Sequence, residues 1–341
     1  MRAIRFPGAD AIELISDAPW PEPAAGELLL RVTRTALCGS DLKLWHKGAQ
    51  HTPGHEIFGV VDAPGYTLHQ RRCLVFMPVH CGHCTCCARG DTHLCLTDSV
   101  LIGWNRPGGY AQALAVPGQC LMPVPNDIDD DLAPLLLDTI GTAAHGLRGA
   151  RPLLPPPREC EVLITGAGPI GIGALIALQE MGFTRISISD PRANRLALAV
   201  SLGARVHEAR DAAGTAATAA KTEAADAASQ RFHLVVECSG AHAARNLGLK
   251  LVWPRGVVLL LGENDAPWTM EETKPIRRKD FYMLRSFYFP KSDLDANIGL
   301  LRARRDDYHR LVDFSFGLEA FAEVFPRFAA GELVKPLLAP W

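Results

Sequence analysis

The chain lacks any long apolar run. Its uninterrupted hydrophobic stretches fall well short of the roughly eighteen residues needed to cross a bilayer, so no membrane-spanning helix is expected. It also lacks an excess of either charge: a formal charge of −2 and a pI near 6.6 leave no electrostatic footprint for nucleic acid or an anionic membrane. The opening residues, M-R-A-I-R-F-P-G, hold no apolar core followed by a cleavage site, and no signal peptide is expected. No internal repeat is visible. What remains is an ordinary globular balance, 48% hydrophobic and 21% charged over 341 residues, enough chain for two domains with separate cores. Ten cysteines, half of them candidate metal ligands, suit a reducing compartment and a cytoplasmic protein.

Four of those cysteines make the strongest local signal. Cys81, Cys84, Cys87 and Cys95 fall in the run C-G-H-C-T-C-C-A-R-G-D-T-H-L-C. Closely spaced thiols in one loop supply the four tetrahedral ligands of a zinc ion, and four thiolates close its shell, so this metal is structural. Cys86 lies beside Cys87, out of step with the spacing, and is read as a spare. The alternative is four uncommitted thiols or a disulfide pair, but clustering without a secretion signal favours metal.

The rest of the chain changes character part-way. Residues 1–37 alternate in short strand-like runs, C38-G-S-D leads into a short helix, and P53-G-H-E opens into a strand. Strand character resumes after Gly108, and D129-D-D-L starts the first convincing helical region. A Pro-rich stretch near Leu153 marks a boundary, and beyond it strands and helices alternate as in a doubly wound parallel sheet. The Ala-rich stretch from Ala212 to Ala228 is read as a surface crossover helix, because alanine is the best helix former. The resulting expectation is an α/β chain. A mostly-β domain spans 1–150 with the lobe at 81–95, a domain of alternating strands and helices 151–286, and a mixed C-terminal segment 287–341.

Within the second domain, G166-A-G-P-I-G follows an apolar strand and opens a helix. Gly166 permits the tight turn, Gly168 lets backbone approach a pyrophosphate, and Gly171 lets helix and strand pack closely; Pro169 and Ile170 carry the helix start, whose free N–H groups bind the phosphates. Asp190 ends the next strand at the distance at which an acid accepts hydrogen bonds from the ribose hydroxyls and repels a 2′-phosphate, which favours NAD over NADP. Arg192 and Arg195 temper that preference, since an arginine there can hold the extra phosphate.

Cys38, His55, Glu56 and Asp138 are candidate ligands for a second metal, although each alone reads as a buried thiol, a core histidine or a surface acid. The combination resembles the zinc-dependent medium-chain alcohol dehydrogenase family, which includes threonine and polyol dehydrogenases. The matching pieces are C38-G-S-D, G54-H-E, the cysteine lobe, D138-T-I-G-T, G166-A-G-P-I-G and Asp190, in the family's order over nearly the whole chain. The resemblance implies a GroES-like catalytic domain, to which the C-terminal segment returns, a Rossmann domain between, two zinc ions per chain, NAD, a small alcohol or ketone substrate, and a homodimer or homotetramer. It implies Cys38, His55 and Asp138 as catalytic zinc ligands, with Glu56 a ligand or alternating with water. It further implies Asp41 as the partner of the far His55 nitrogen, Ser40 as the hydroxyl that takes the substrate proton, and Thr142, Ser239 and Gly262 beside the cofactor.

In that family three ligands leave zinc one open position, an alcohol binds there with lowered pKa, and hydride passes to the nicotinamide. Two features depart from the pattern. Where many relatives carry a relay histidine this chain has Lys43, so Lys43, His46 or water is expected to pass the proton onward. The segments from Trp45 to Pro53 and from Val61 to Arg72 are short. Trp45, His46, Trp104, Asn105 and Phe289 are candidate pocket residues by their position near matched motifs. An acidic zinc ligand leans toward polyols, sugars, cyclitols or amino alcohols. The competing readings are a zinc-independent quinone or enoyl reductase, which would not need the ligand set, and a non-catalytic protein that binds NAD and zinc.

Overall fold

The computed structural model describes residues 1–97, 100–208, 231–271 and 274–341. The helix expected over Ala212–Ala228 lies outside the described residues. The chain forms two compact units, Met1–Gly141 together with Tyr288–Trp341, and Thr142–Phe287.

The first unit is built on a sheet whose spatial order is Val312–Phe316, Lys335–Leu338, Glu27–Ala36, Glu56–Val61, Arg72–Val75 and Leu121–Pro123. Ala113–Pro117 also pairs with Glu27–Ala36. Alternation along Glu27–Ala36 sends Leu28, Leu30 and Val32 into the core, the period-two pattern of a strand with one covered face. The register sets Ala36 opposite Glu56 on one side and Leu337 on the other. The chain therefore leaves this strand, at Leu37 and Cys38, between an incoming acid and the C-terminal strand. A second core of Phe6, Tyr110, Phe321 and Phe325 packs ring on ring, with centroids 5.0 Å apart for Phe6–Phe325 and 4.8 Å for Tyr110–Phe321.

The second unit is a parallel sheet ordered Arg205–Val206, Arg185–Ser189, Glu161–Thr165, Phe232–Glu237, Val252–Leu260, Tyr282–Arg285. Numbered along the chain this is 3-2-1-4-5-6, the doubly wound arrangement that binds dinucleotides where the order reverses, between Glu161–Thr165 and Phe232–Glu237.

The helix expected from Asp129 is mostly something else. Ala133–Leu136 is a 3₁₀ turn, Asp138–Thr142 a π-helical turn, and only Ala143–Ala150 is α-helix. Pro134 removes a donor near the start. The acids that looked like a helix N-terminus instead meet arginines from distant elements: Asp130 with Arg72 at 2.6 Å, Asp131 with Arg34 at 2.5 Å, and Asp129 with Arg305, as nearby Asp127 does with Arg302 at 2.8 Å. The first division between units falls at 141/142 rather than near Leu153. Gly146 in the Ala143–Ala150 helix lies against Leu259, Leu261 and Ser286, so this helix packs with the parallel sheet and the prolines are a turn beyond it.

Candidate metal centres and dinucleotide cradle

Cys38 opens a 3₁₀ turn, Gly39–Asp41, whose last residue folds its carboxylate back: Cys38 N–H donates to Asp41 Oδ2 at 3.1 Å. The other oxygen, Oδ1, lies 3.1 Å from His55 Nδ1, and Tyr110 donates its hydroxyl to Oδ2 at 2.5 Å. Asp41, His55 and Tyr110 are all buried. Asp41 thus holds the proton on His55 Nδ1 and turns Nε2 toward the other members of the group. Nε2 lies 3.2 Å from Asp138 Oδ2, which begins the π-helical turn. Ser40 Oγ donates to Cys38 Sγ at 3.2 Å and is 3.5 Å from His55 Nε2. One donor atom each from Cys38, His55, Glu56 and Asp138 lies within 4.8 Å of every other.

The electrostatics are those of anions gathered without enough counter-charge. Burial pushes the Cys38 thiol up, against the pull of His55. Burial also raises Glu56, to about 7, although Lys335 opposes it. Burial works to lower His55, but Asp41 and Cys38 outweigh it and hold the imidazole well above its ordinary range. Asp138 is lowered, burial being overcome by its hydrogen bond to His55. Lys335 enters from the C-terminal strand; its ammonium bonds Glu56 Oε1 and, at 3.1 Å, Leu37 O. Glu56 Oε2 is buried and has no hydrogen-bond partner among the described residues. A buried carboxylate oxygen left unmatched beside a thiol and an imidazole fits a divalent cation, and that donor mixture suits zinc.

The cysteine lobe gathers Cys81, Cys84, Cys87 and Cys95 within the same 4.8 Å limit. All ten cysteines are free thiols. Backbone N–H groups aim at the sulfurs, from Cys81 to Cys95 at 3.3 Å and from Cys84 to Cys81 at 3.3 Å. The Thr97 hydroxyl draws Cys95 down to about 6, whereas burial pushes Cys87 up to about 12. Cys86 stays outside the group, beside Arg89.

In the parallel sheet, Gly166 sits at φ +96°, and a Cβ on Gly171 would lie 1.8 Å from Gly166 O. Both positions require glycine. At Gly168 the nearest atom to such a Cβ is Arg195 Nη1 at 3.2 Å, so that backbone is otherwise open. Pro169 and Ile170 begin the helix Pro169–Glu180. Asp190 accepts from Ala167 N–H at 2.8 Å and from Arg192 N–H at 2.9 Å, which ties the turn to the next strand. Ser239 packs against Gly166, and Gly262 against Gly240. Thr142 is buried at the end of the π-helical turn.

Among the candidate pocket residues, Trp104 stands over His55 with ring centroids 5.9 Å apart, and Lys43 Nζ lies 5.9 Å from the Trp104 ring. The others have contacts elsewhere. Trp45 packs on Phe325, His46 is exposed and pairs with Asp10, Asn105 accepts Leu101 N–H, and Phe289 is buried against Gly141 and Phe76.

Residues 24–126 match the alcohol dehydrogenase GroES-like domain, and residues 169–303 the zinc-binding dehydrogenase domain. L-threonine 3-dehydrogenase of Shewanella halifaxensis is 30% identical over 354 residues, covering 94% of each chain. The chain belongs to the zinc-dependent medium-chain alcohol dehydrogenase family. The alcohol dehydrogenase of Thermus sp. ATN1 superposes with a TM-score of 0.85 at 26% identity over the full length of both chains. Galactitol-1-phosphate dehydrogenase of Escherichia coli does so at 0.84 and 23%, also over both full lengths. As a member, the chain is an oxidoreductase that uses zinc and NAD(P). No helix among the described residues is long and apolar enough to cross a membrane.

Four residues of these sites escaped the sequence reading: Lys335, Tyr110, Glu237 and Arg245. Glu237 is fully buried and accepts from Ser239 N–H at 2.7 Å, Ser239 Oγ–H at 2.6 Å and Gly240 N–H at 2.8 Å. Arg245 binds its other oxygen at 3.4 Å and Gly262 O at 3.0 Å, so the pair ties together the two turns on which Ser239 and Gly262 stand. An acid ending an apolar strand, E237-C-S-G, was the available signal.

Proposed function

We propose that this dehydrogenase oxidises a small secondary alcohol bearing polar neighbours, such as a polyol, sugar, cyclitol or amino alcohol, or reduces the matching ketone, with NAD. The observation that carries this reading is the Cys38, His55, Glu56 and Asp138 group with the Ser40 hydroxyl set between Cys38 Sγ and His55 Nε2. The L-threonine 3-dehydrogenases among its relatives support an amino alcohol or similar substrate. When bound, zinc supplies Lewis-acid polarisation of the substrate oxygen and the nicotinamide supplies the hydride acceptor or donor.

The protein's own residues then have defined tasks. Cys38, His55 and Asp138 hold the catalytic metal, with Glu56 adjoining, and Asp41 fixes the His55 tautomer. The Ser40 hydroxyl takes up the substrate proton on oxidation and returns it on reduction. Trp104 covers His55 and forms one wall of the substrate site. Water beside Lys43, which lies above Trp104, or His46 takes the proton from Ser40 and passes it to solvent; a Lys43→Ala/His46→Ala double variant with an unchanged pH–rate profile would refute a role for either side chain. Cys81, Cys84, Cys87 and Cys95 hold a second, structural zinc.

Asp190 favours NAD, with Gly166, Gly168, Gly171 and Arg195 around the pyrophosphate. Asp190→Ala is expected to raise kcat/KM with NADP relative to NAD. We further propose a homodimer or homotetramer in the cytoplasm. The strand Tyr282–Arg285 ends the parallel sheet and leaves Tyr282 and Met283 exposed, an edge suited to another copy; light scattering tests this. The deciding experiment is zinc content per chain with and without Cys38→Ser, followed by a screen of alcohols for NADH formation. Two zinc ions falling to one, with turnover lost, supports the reading. One zinc, unchanged in the variant, overturns it.

A further inference from the structure

The four donors pose a problem that the geometry of Lys335 answers. Cys38, His55, Glu56 and Asp138 together would close a tetrahedral shell, and a closed shell has no position for substrate. One donor must therefore be held off. Glu56 is the one tied to a buried cation: it is 0% exposed, Lys335 is 1% exposed, and the ammonium takes Glu56 Oε1 and Leu37 O together. Oε2 remains without a hydrogen-bond partner among the described residues.

We propose that Lys335 is a positioning residue that competes with the metal for Glu56 and so keeps one coordination position open. The inference rests on the metal reading above. Its physical basis is that a buried carboxylate needs a cation, and removing one member of a buried pair leaves an uncompensated charge. With Lys335 present, Glu56 is satisfied through Oε1 and stays a displaceable donor. Without it, the described residues offer Glu56 only His55, itself turned to the metal site, as counter-charge, so Glu56 pairs with the metal, which then becomes closed on all four sides. The strand register sets this competition, because Ala36 lies between Glu56 and Leu337 and brings the Lys335 side chain past Leu37 to the acid.

The test exchanges cobalt into the Cys38 site of the full chain, keeps zinc in the cysteine lobe, and titrates imidazole while following the cobalt visible spectrum. In the unaltered protein and in Lys335→Arg, imidazole should bind and shift the bands. In Lys335→Met the four-coordinate spectrum should persist, and imidazole affinity should fall by about tenfold or more, the usual scale for losing an outer partner of a metal ligand. Imidazole binding to Lys335→Met as tightly as to the unaltered protein overturns the proposal. A second comparison guards against a variant that fails to fold. In a Glu56→Gln background, changing Lys335 to Met should leave imidazole affinity unchanged, since the residue it acts through is already neutral. An equal loss there means that Lys335 acts by general structure, and overturns the proposal. A spectrum with no thiolate-to-cobalt band in the unaltered protein overturns the metal reading as well, which separates the two failures.

Discussion

Replacing Tyr110 by Phe removes one oxygen and little else. The ring packs in the aromatic core on Phe6 and Phe321, and a Cβ at Gly54 would lie only 2.6 Å from it, so the space it fills is tightly bounded. Phenylalanine keeps those contacts. What is lost is the 2.5 Å hydrogen bond to Asp41 Oδ2. Burial, with Asp41 adding to it, holds the phenol pKa well above its ordinary value, so the hydroxyl is a donor throughout the working range. A hydrogen bond to a charged partner contributes about 1.5–3 kcal/mol, and the stability of the metal-loaded variant should fall by that amount in urea unfolding. Asp41 keeps Cys38 N–H and His55, but a less anchored carboxylate orients His55 less well. Zinc affinity at the Cys38 site should fall about tenfold in chelator competition, the lower end of the range for outer partners. The lobe zinc should be unaffected. Unchanged affinity at the Cys38 site, or equal loss from both sites, would refute the coupling of Tyr110 to His55 through Asp41.

Three further outcomes follow from local geometry and charge. Gly171→Ala places a methyl 1.8 Å from Gly166 O and should abolish NAD binding by calorimetry, whereas Gly299→Ala, in a helix with nothing within 4 Å, should stabilise by roughly 0.5–1 kcal/mol. Metal binding competes with protonation of His55, whose pKa the facing anions raise despite burial, so the apparent zinc affinity of the Cys38 site should already be falling with pH above the ordinary histidine range. Chelator competition across pH checks this; an apparent affinity that starts to fall only below the ordinary histidine pKa would count against it. Arg302 lowers Asp127, and Arg305 with His309 lowers Asp129 against its burial. These depressed carboxylates stabilise above the ordinary aspartate range and lose their contribution as pH falls through the folded values, so Arg302→Ala/Arg305→Ala should flatten the acid limb of Tm against pH. A limb of unchanged steepness would show that these pairs add nothing.

The parts of this protein that were legible from sequence are those whose partners are close along the chain. The cysteine lobe spans fifteen residues from Cys81 to Cys95, and its chemistry is complete within one loop. The Gly166–Gly171 turn is equally local, because the 1.8 Å approach that forbids a side chain at Gly171 is to a backbone oxygen five residues earlier. The alternating apolar strands around it declared a parallel sheet for the same reason. Cys38, His55, Glu56 and Asp138 were found through resemblance, since a hundred residues separate Cys38 from Asp138 and no spacing rule joins them.

What only the tertiary structure decided is where burial and charge balance. The acids before Leu132 read as a helix start because local pattern favours that, but arginines from distant elements claim them instead. Leu153 read as a boundary because prolines break structure, whereas the division follows which sheet the Ala143–Ala150 helix covers. Lys335 read as an ordinary lysine near the C-terminus. Its partner, Glu56, is 279 residues away, and only the register of Lys335–Leu338 on Glu27–Ala36 brings an ammonium into the dry interior beside the acid of the Cys38 group. A side chain's type is written in the sequence, but its desolvation and its counter-charge depend on strands that meet only when the chain has folded.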